Sequence, residues 1–506
     1  MRLSDSMHSC LCIDEVVRLI ACELVESGGK STSVALACCC KSLEDPVLDL
    51  LWQTQNELLP LLATFPRDVW NDSECTVSPL TMRAFSLLND LARKSFRRLP
   101  TTLELARFRK YSSRMRRLEE PNEQYGQYSD VIAVLQPYSI DKPFFPNMKD
   151  LRLSDPTREF IPSIPLFLCP RTTNIGISFN TPHLPKGLVA STIATLPTLC
   201  PNLQRLSLQS LPRDPIITAA VSGMFHARNW DTLRYLSVDS PLTEQACEVI
   251  FKLPNLYMLS AVIERDTSLP LVVLLNLINL TINEDHDYDW LQGFRGATLG
   301  KLAYVTFNSE SESIGDILEA FESIALTTSI PETLSIFRFY TSLPWRPNYR
   351  SLLPFTMLKR LTVEFSCEDG CSSTIDDDII TDVARAMPGL KLLRLGDPCQ
   401  TPTGVTAKGL TALARYCPHL STLRIHFQVA SLVDAPPIPG VTPGGKPIIP
   451  CALTELDVGR IPLPEESVLV VTLTLLRIFP SIHSVGCSEK GWREVGDAIF
   501  RSQTAY

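Results

Sequence analysis

Residues 405–425 read VTAKGLTALARYCPHLSTLRI. Two periods stand back to back in this stretch. Leu410, Leu413, Ala414 and Cys417 recur at helical spacing and share one face, and Pro418 stops the helix. Leu423 and Ile425 then flank Arg424, which is the two-residue period of a strand. The strand closes a short phrase: apolar, two residues, apolar, one residue, apolar. The same phrase returns as LQRLSL at 203–208, LRYLSV at 233–238, LKRLTV at 358–363, LKLLRL at 390–395 and LTELDV at 453–458.

Aligning the chain on the first apolar residue of the phrase gives starts at Met148, Thr172, Leu203, Leu233, Leu256, Leu277, Leu302, Leu334, Leu358, Leu390, Leu420, Leu453 and Ile482. Thr172 is the weakest, being polar. The mean spacing is about 28 residues, inside the roughly 20–29-residue period of leucine-rich repeats. The intervening segments carry helix signals. DDDIITDVARAMPGL (376–390) opens with three Asp, favoured by the helix dipole, and stops at Pro388. The expected fold class is α/β: a leucine-rich-repeat solenoid of 12–13 irregular repeats, with a parallel sheet lining a horseshoe and helices outside. A small helical domain would precede it.

The 506 residues are 45% hydrophobic and 20% charged, enough for a large core. A net charge of −8 argues against general nucleic-acid binding. MRLSDSMHSCLCIDEVVRLI at the start does not read as a signal peptide, because Asp5, Asp14 and Glu15 interrupt it. LPLVVLLNLINLTI (269–282) is too short to span a bilayer. Sixteen Cys without a secretory signal suggest a reducing cytoplasmic or nuclear setting. Cys169, Cys200, Cys417 and Cys451 stand just before repeat strands, where a small buried residue fits.

Residues 8–52 read HSCLCIDEVVRLIACELVESGGKSTSVALACCCKSLEDPVLDLLW. Ile13, Val16, Val17, Ile20 and Leu24 form one helical face, Gly28 and Gly29 break the helix, and two further apolar segments follow at Val34–Cys40 and Leu48–Trp52. Three short helices of this size are marginal alone and gain from a partner.

Two stretches carry a family resemblance. VTAKGLTALARYCPHLSTLRI resembles the cysteine-containing subtype of leucine-rich repeat, and TLCPNLQRLSL (198–208) has the same Cys-Pro-x-Leu join. Residues 8–52 are similar to the F-box, the three-helix module that binds the Skp-type adaptor of cullin–RING ubiquitin ligases. Glu15, Val16, Val17 and Ile20 match its first part, Leu36, Cys40 and Lys41 its second, and Leu51 and Trp52 its end. Ile13 stands where the family has Pro. EDPVLDLLW (44–52) resembles the form found in basidiomycete F-box proteins. The resemblance implies adaptor binding through Ile13, Glu15, Val16, Val17, Ile20, Leu36, Leu51 and Trp52. The plainer alternative makes 8–52 a helical cap, which solenoids need. The implied organisation is an F-box-like module at 1–60, a helical linker and cap at 61–145, and repeats at 146–506.

Residues 93–117 hold ten Lys or Arg and one Glu. They read either as a patch for an acidic partner or as a linker helix pairing with neighbours such as Glu119 and Glu120. Phe108, Tyr111, Met115 and Leu118 would form its buried face. RFRKYSSRMRRLEE resembles the join between F-box and repeats in the fungal family, which favours the structural role. The segment APPIPGVTPGGKPIIP (435–450) reads as a loop inserted in one repeat, solvated or reaching over the binding face. His8, Cys10 and Cys12, or Cys367 and Cys371, lack a second ligand pair at zinc spacing, and Asp376–Asp378 read as a helix start rather than a metal site. No cofactor is implied, and no catalytic constellation is found.

The middle residue of each phrase should face the open side of the sheet. In order these are Arg152, Gly176, Ser207, Ser237, Ser260, Thr281, Thr306, Arg338, Thr362, Arg394, Arg424, Asp457 and Gly486. A hydroxyl run from Ser207 to Thr306 precedes Arg338, Arg394 and Arg424, with Arg360 and His426 beside them. This cluster would grip an acidic or phosphorylated client segment, or be a solvated face with chance arginines. The sequence thus points to a non-catalytic client-recognition subunit of a Skp–cullin–F-box ligase, or to a binding scaffold with no ligase link. Neither needs nucleic acid or membrane.

Overall fold

The structure is a computed structural model and describes residues 13–27, 29–39, 41–71, 95–120, 125–181, 183–263, 276–284, 303–309, 333–341, 349–367, 375–395, 404–433, 450–459, 461–487 and 490–504. It is α/β with parallel strands, and within each of its two units every strand pairs with the next in sequence. The chain divides into two compact units, Met1–Ser240 and Pro241–Tyr506. The division falls inside the stretch 146–506, and the boundaries expected at 60 and 145 both lie within the first unit.

The first unit opens with three helices, α1 (Asp14–Glu26), α2 (Lys30–Cys39) and α3 (Lys41–Gln53). Val17, Ala21, Ala37, Leu43 and Val47 form their core. Next come α4 (Leu59–Leu62), α5 (Thr102–Ser112) and α6 (Tyr125–Leu135). The unit's strands are β1 (Thr54–Gln55), β2 (Arg117–Glu120), β3 (Asp150–Ser154), β4 (Asn174–Ser178), β5 (Arg205–Gln209) and β6 (Tyr235–Leu242), which crosses the unit boundary. Helices α7 (Lys186–Leu199) and α8 (Pro215–His226) join β4 to β5 and β5 to β6. Asp214 starts α8 by accepting from the Ile216 N–H at 2.9 Å, with Pro215 at the first helical position. In β4 and β5 burial alternates as the phrase requires, whereas in β6 the middle residue Ser237 is buried as well. Ile175, Ile177, Leu206, Leu208, Leu236 and Val238 are buried, each worth about 1.5–3 kcal/mol of transfer free energy.

The basic stretch is built into this unit, and the acidic partners seen for it are Glu44, Asp45, Asp49, Asp68, Glu104 and Asp150 in place of the expected Glu119 and Glu120. Lys110 pairs with Glu44 at 2.7 Å, and Arg114 pairs with Asp45 and Asp49, so α5 is fastened to α3. Arg98 bridges Asp68 and Glu104. Phe108, Met115 and Leu118 are buried as the spacing predicts. Leu118 lies on β2, a strand the phrase misses because Glu120 stands where its last apolar residue would be. The pairs of Lys110 and Arg114 join residues on either side of position 60.

The second unit carries β7 (Met258–Ile263), β8 (Asn279–Glu284), β9 (Tyr304–Ser309), β10 (Thr333–Thr341), β11 (Arg360–Cys367), β12 (Leu392–Leu395), β13 (Thr422–Ile425), β14 (Glu455–Gly459) and β15 (Ser484–Cys487). Its described helices are α9 (Glu244–Ile250), α10 (Asp377–Ala386), α11 (Ala407–Tyr416), α12 (Val468–Ile478) and α13 (Lys490–Thr504). The acidic run does start a helix. Asp376 caps α10 by accepting from Ile379 N–H at 2.9 Å. Asp377 reaches across to α11, accepting from Thr406 N–H, Thr406 Oγ1 and Gly409 N–H at 2.8, 2.6 and 2.8 Å. A Cβ on Gly409 would come within 2.6 Å of Asp377 Oδ1, so the glycine in TAKGL is a packing requirement.

The cysteines before the strands are buried, as expected. Cys417 Sγ points at the Ala384 and Met387 carbonyls at 3.6 and 3.7 Å, and Cys451 Sγ at those of Cys417 and Leu420 at 3.4 and 3.7 Å. A thiol thus meets carbonyls around the end of the preceding helix, which lack partners within that helix. Burial pushes the Cys200 and Cys417 thiols up to about 12 and Cys451 up to about 11, so they stay protonated. Thr172, the polar start, is buried because its hydroxyl donates to Met148 O at 3.2 Å and accepts from Cys169 N–H at 3.1 Å.

One strand corrects the alignment. Ser335, not Arg338, pairs with Thr306 and Thr362, while Arg338 pairs with Ser309 and Phe365. The repeat starts at Pro331 rather than Leu334. In sequence LSIFRF satisfies the phrase better than PETLSI does, because Pro331 does not count as apolar. The loop 435–449, His8, Cys10, Cys12 and Cys371 lie outside the described residues. Among the described residues no helix is long and apolar enough to cross a membrane.

Candidate functional site

Two surfaces hold the residues singled out by sequence. The first is the three-helix unit. The helical face expected on α1 splits: Val17 and Ala21 are in the core, while Ile13 and Ile20 are 48% and 39% exposed. Leu19 and Val34, at 71% and 51%, add to the exposed apolar set. Glu15 is exposed, and Val16, Leu36, Leu51 and Trp52 are half-buried. Val17, only 2% exposed, is removed from the docking residues, because it fills the core between the helices. Trp52 rests on Tyr111 of α5, ring centroids 4.8 Å apart, so part of its face is spent inside the chain.

The second surface is the open sheet face, which is ordered in rows because parallel register aligns equivalent residues. In the second unit the middle row runs Ser260, Thr281, Thr306, Ser335, Thr362, Arg394, Arg424, Asp457 and Gly486. The hydroxyl run is therefore five residues long in this unit alone. The arginine cluster shrinks to Arg394 beside Arg424, with Arg360 two residues before Thr362. Arg338 is not in the row. Asp457 stands next to Arg424 at 3.4 Å, so the cluster contains its own anion. His426 lies against Gly459, where a Cβ would come within 2.5 Å of its Nε2. It is half-buried rather than presented.

In the first unit the middle row is Glu119, Arg152, Gly176, Ser207 and Ser237. The row two residues earlier is Arg117, Asp150, Asn174, Arg205 and Tyr235. Gly176 contributes no side chain, and a depression of about 340 Å³ opens above it. Asn174, Ser207, Arg205, Tyr235, Arg152 and Asp150 line it. Asp150 is buried at 3% exposure, held by Arg117 at 3.2 Å and Arg152 at 3.3 Å. Arg152 also meets Glu119 at 3.4 Å. The Arg205 guanidinium lies 5.0 Å from the Tyr235 ring centroid, a cation–π arrangement that fixes the side chain.

No family model matches this chain, and comparison with curated proteins finds no match.

Sequence reasoning named Arg152 and Gly176 as row members but missed Asp150, Asn174, Arg205 and Tyr235. The signal was available at the third position of each phrase: MKDLRL, TTNIGI, LQRLSL and LRYLSV. What the arrangement can do is bind. It offers donors from arginine, tyrosine, asparagine and serine in an open, polar recess.

Proposed function

We propose that this chain is a non-catalytic client-recognition subunit of a Skp–cullin–F-box ubiquitin ligase. In that reading α1–α3 form an F-box-like module that holds the Skp-type adaptor. The repeated strand-and-connection units are leucine-rich repeats whose open face holds a protein client. The observation that carries it is the apolar set Ile13, Leu19, Ile20 and Val34 left exposed beside the small core of Val17, Ala21, Ala37, Leu43 and Val47. Isolated exposed apolar residues need no explanation, but four on one small helical unit favour a partner. The test is adaptor binding by the full chain and by the variant Ile13→Asp/Ile20→Asp. Wild-type binding with at least a tenfold loss in the variant supports the reading, and failure of the wild-type chain to bind any Skp-type adaptor removes it.

The second reading is a binding scaffold with no ligase link, and a specific contact favours it. Lys110 and Arg114 tie α3 to α5, and Trp52 packs on Tyr111, as a cap fastened to the rest of its unit would require. In this case deleting residues 1–52 destabilises the first unit and leaves every measured partner unchanged.

A further inference from the structure

We infer that the depression over Gly176 is a carboxylate-binding pocket that takes one Asp or Glu side chain of an acidic peptide segment, with Arg205 as its clamp. This rests on reading the open face as the client surface, and it moves the acid-binding site away from Arg394 and Arg424.

Three observations support it. The first is space. Gly176 sits in the middle of a row whose neighbours carry side chains, and a Cβ there would meet only Arg152 Cγ at 3.8 Å. The volume of about 340 Å³ is at the small end for ligand sites, suited to one side chain and its hydration water. The second is charge. Among the described residues no carboxylate lies within ion-pair reach of Arg205, whereas Asp150 and Glu119 already neutralise Arg152. One available guanidinium matches a monoanion, and its planar fork pairs bidentately with a carboxylate. A phosphate dianion asks for a second cation, which the pocket has already spent on Asp150. The third is preorganisation. The Arg205 guanidinium carbon is held 5.0 Å over the Tyr235 ring centroid, and Asn174 and Ser207 line the same recess. The lining is too polar and too open for an apolar ligand.

Arg424 shows the contrasting case. It sits in the middle row, two residues later in its phrase than Arg205, and there Asp457 occupies the place an incoming carboxylate would take.

The experiment uses the full chain and a fluorophore-labelled octaglutamate peptide, read by anisotropy at low ionic strength. Arg205→Gln and Gly176→Leu are each expected to weaken binding at least tenfold, and Arg424→Gln to change it less than twofold. Gly176→Ser, which adds only a hydroxymethyl, is the milder companion and should weaken binding by an intermediate amount with an unchanged melting temperature. Binding that survives both Arg205→Gln and Gly176→Leu overturns the proposal, as does loss of binding in Arg424→Gln. Competition by inorganic phosphate at lower concentration than glutarate overturns the choice of a carboxylate. Peptide binding with these losses, in a chain that captures no Skp-type adaptor, would leave the pocket standing and remove the ligase reading.

Discussion

Gly176 in the first unit stands beside Arg152 and Gly409 in the second beside Asp377, and the two glycines do opposite things. Gly176 faces the open side of the sheet, where an added Cβ has room, and its missing side chain makes a recess. Gly409 is buried on α11, where an added Cβ would strike Asp377 Oδ1 at 2.6 Å and Val405 Cγ1 at 3.1 Å. One absence creates a surface and the other permits a contact. Charge follows the same division. Asp377 is consumed by three hydrogen bonds between adjacent repeats, while Arg205 remains for something outside the chain.

The contrast can be broken most sharply at Gly409. Gly409→Val should cost about 3 kcal/mol, since it both overpacks the site and displaces a hydrogen-bonded carboxylate. Urea unfolding would show it as a lower midpoint at unchanged slope, and a loss under about 0.5 kcal/mol would mean that Asp377 moves aside freely. Asp377→Ala should cost about 2 kcal/mol by leaving the Thr406 and Gly409 donors without their carboxylate. A smaller step is Cys417→Ser, at about 1 kcal/mol, because a hydroxyl reaches less far toward the Ala384 and Met387 carbonyls. The same thiols give a chemical reading. Cys38 and Cys39 are exposed and should react with a thiol reagent in the native protein, while Cys200, Cys417 and Cys451 should wait for unfolding.

The first unit offers a pH test of its own. The Arg98 guanidinium hydrogen-bonds Glu104 and holds its carboxyl down at about 2, and the Thr101 backbone N–H helps by closing the capping box of α5. A depressed carboxyl stabilises the folded state above its unfolded value, and that stabilisation fades as pH falls through about 2. The melting temperatures of wild type and Glu104→Gln should therefore differ at pH 7 and converge as the pH drops toward 2; a gap that persists at pH 2 would assign Glu104 a role other than its charge. The smallest effect is expected at Gly176. Gly176→Ser should alter stability by less than about 0.5 kcal/mol, and a loss comparable to that of Gly409→Val would dissolve the comparison.

Much of the repeat was legible because its rule is local. Leu206 and Leu208, or Leu423 and Ile425, are buried on either side of a less buried residue, so the phrase exposes both strand and burial there. The same locality explains the two failures. At β10 the better-fitting phrase lies three residues too late, and only pairing with β9 and β11 selects Ser335 over Arg338. At β2 the phrase is incomplete, because Glu120 ends a short strand whose only buried apolar member is Leu118. On α1 the apolar face was visible but wider than the core needs, so Val17 went inward while Ile13 and Ile20 stayed out.

By itself the sequence determined the α/β repeat, the burial of its leucines and pre-strand cysteines, and the helix start at the Asp376–Asp378 run. Each depends on a few neighbouring residues and on the fixed geometry of strand and helix. Only the tertiary structure decided that Asp150, Asn174, Arg205 and Tyr235 form one row, that Gly176 floors a recess, and that Arg424 meets Asp457. Those neighbours are separated by connections of unequal length, and the register that aligns them is set by how each connection packs. The chemistry of the open face is therefore a property of stacking, which no single repeat contains.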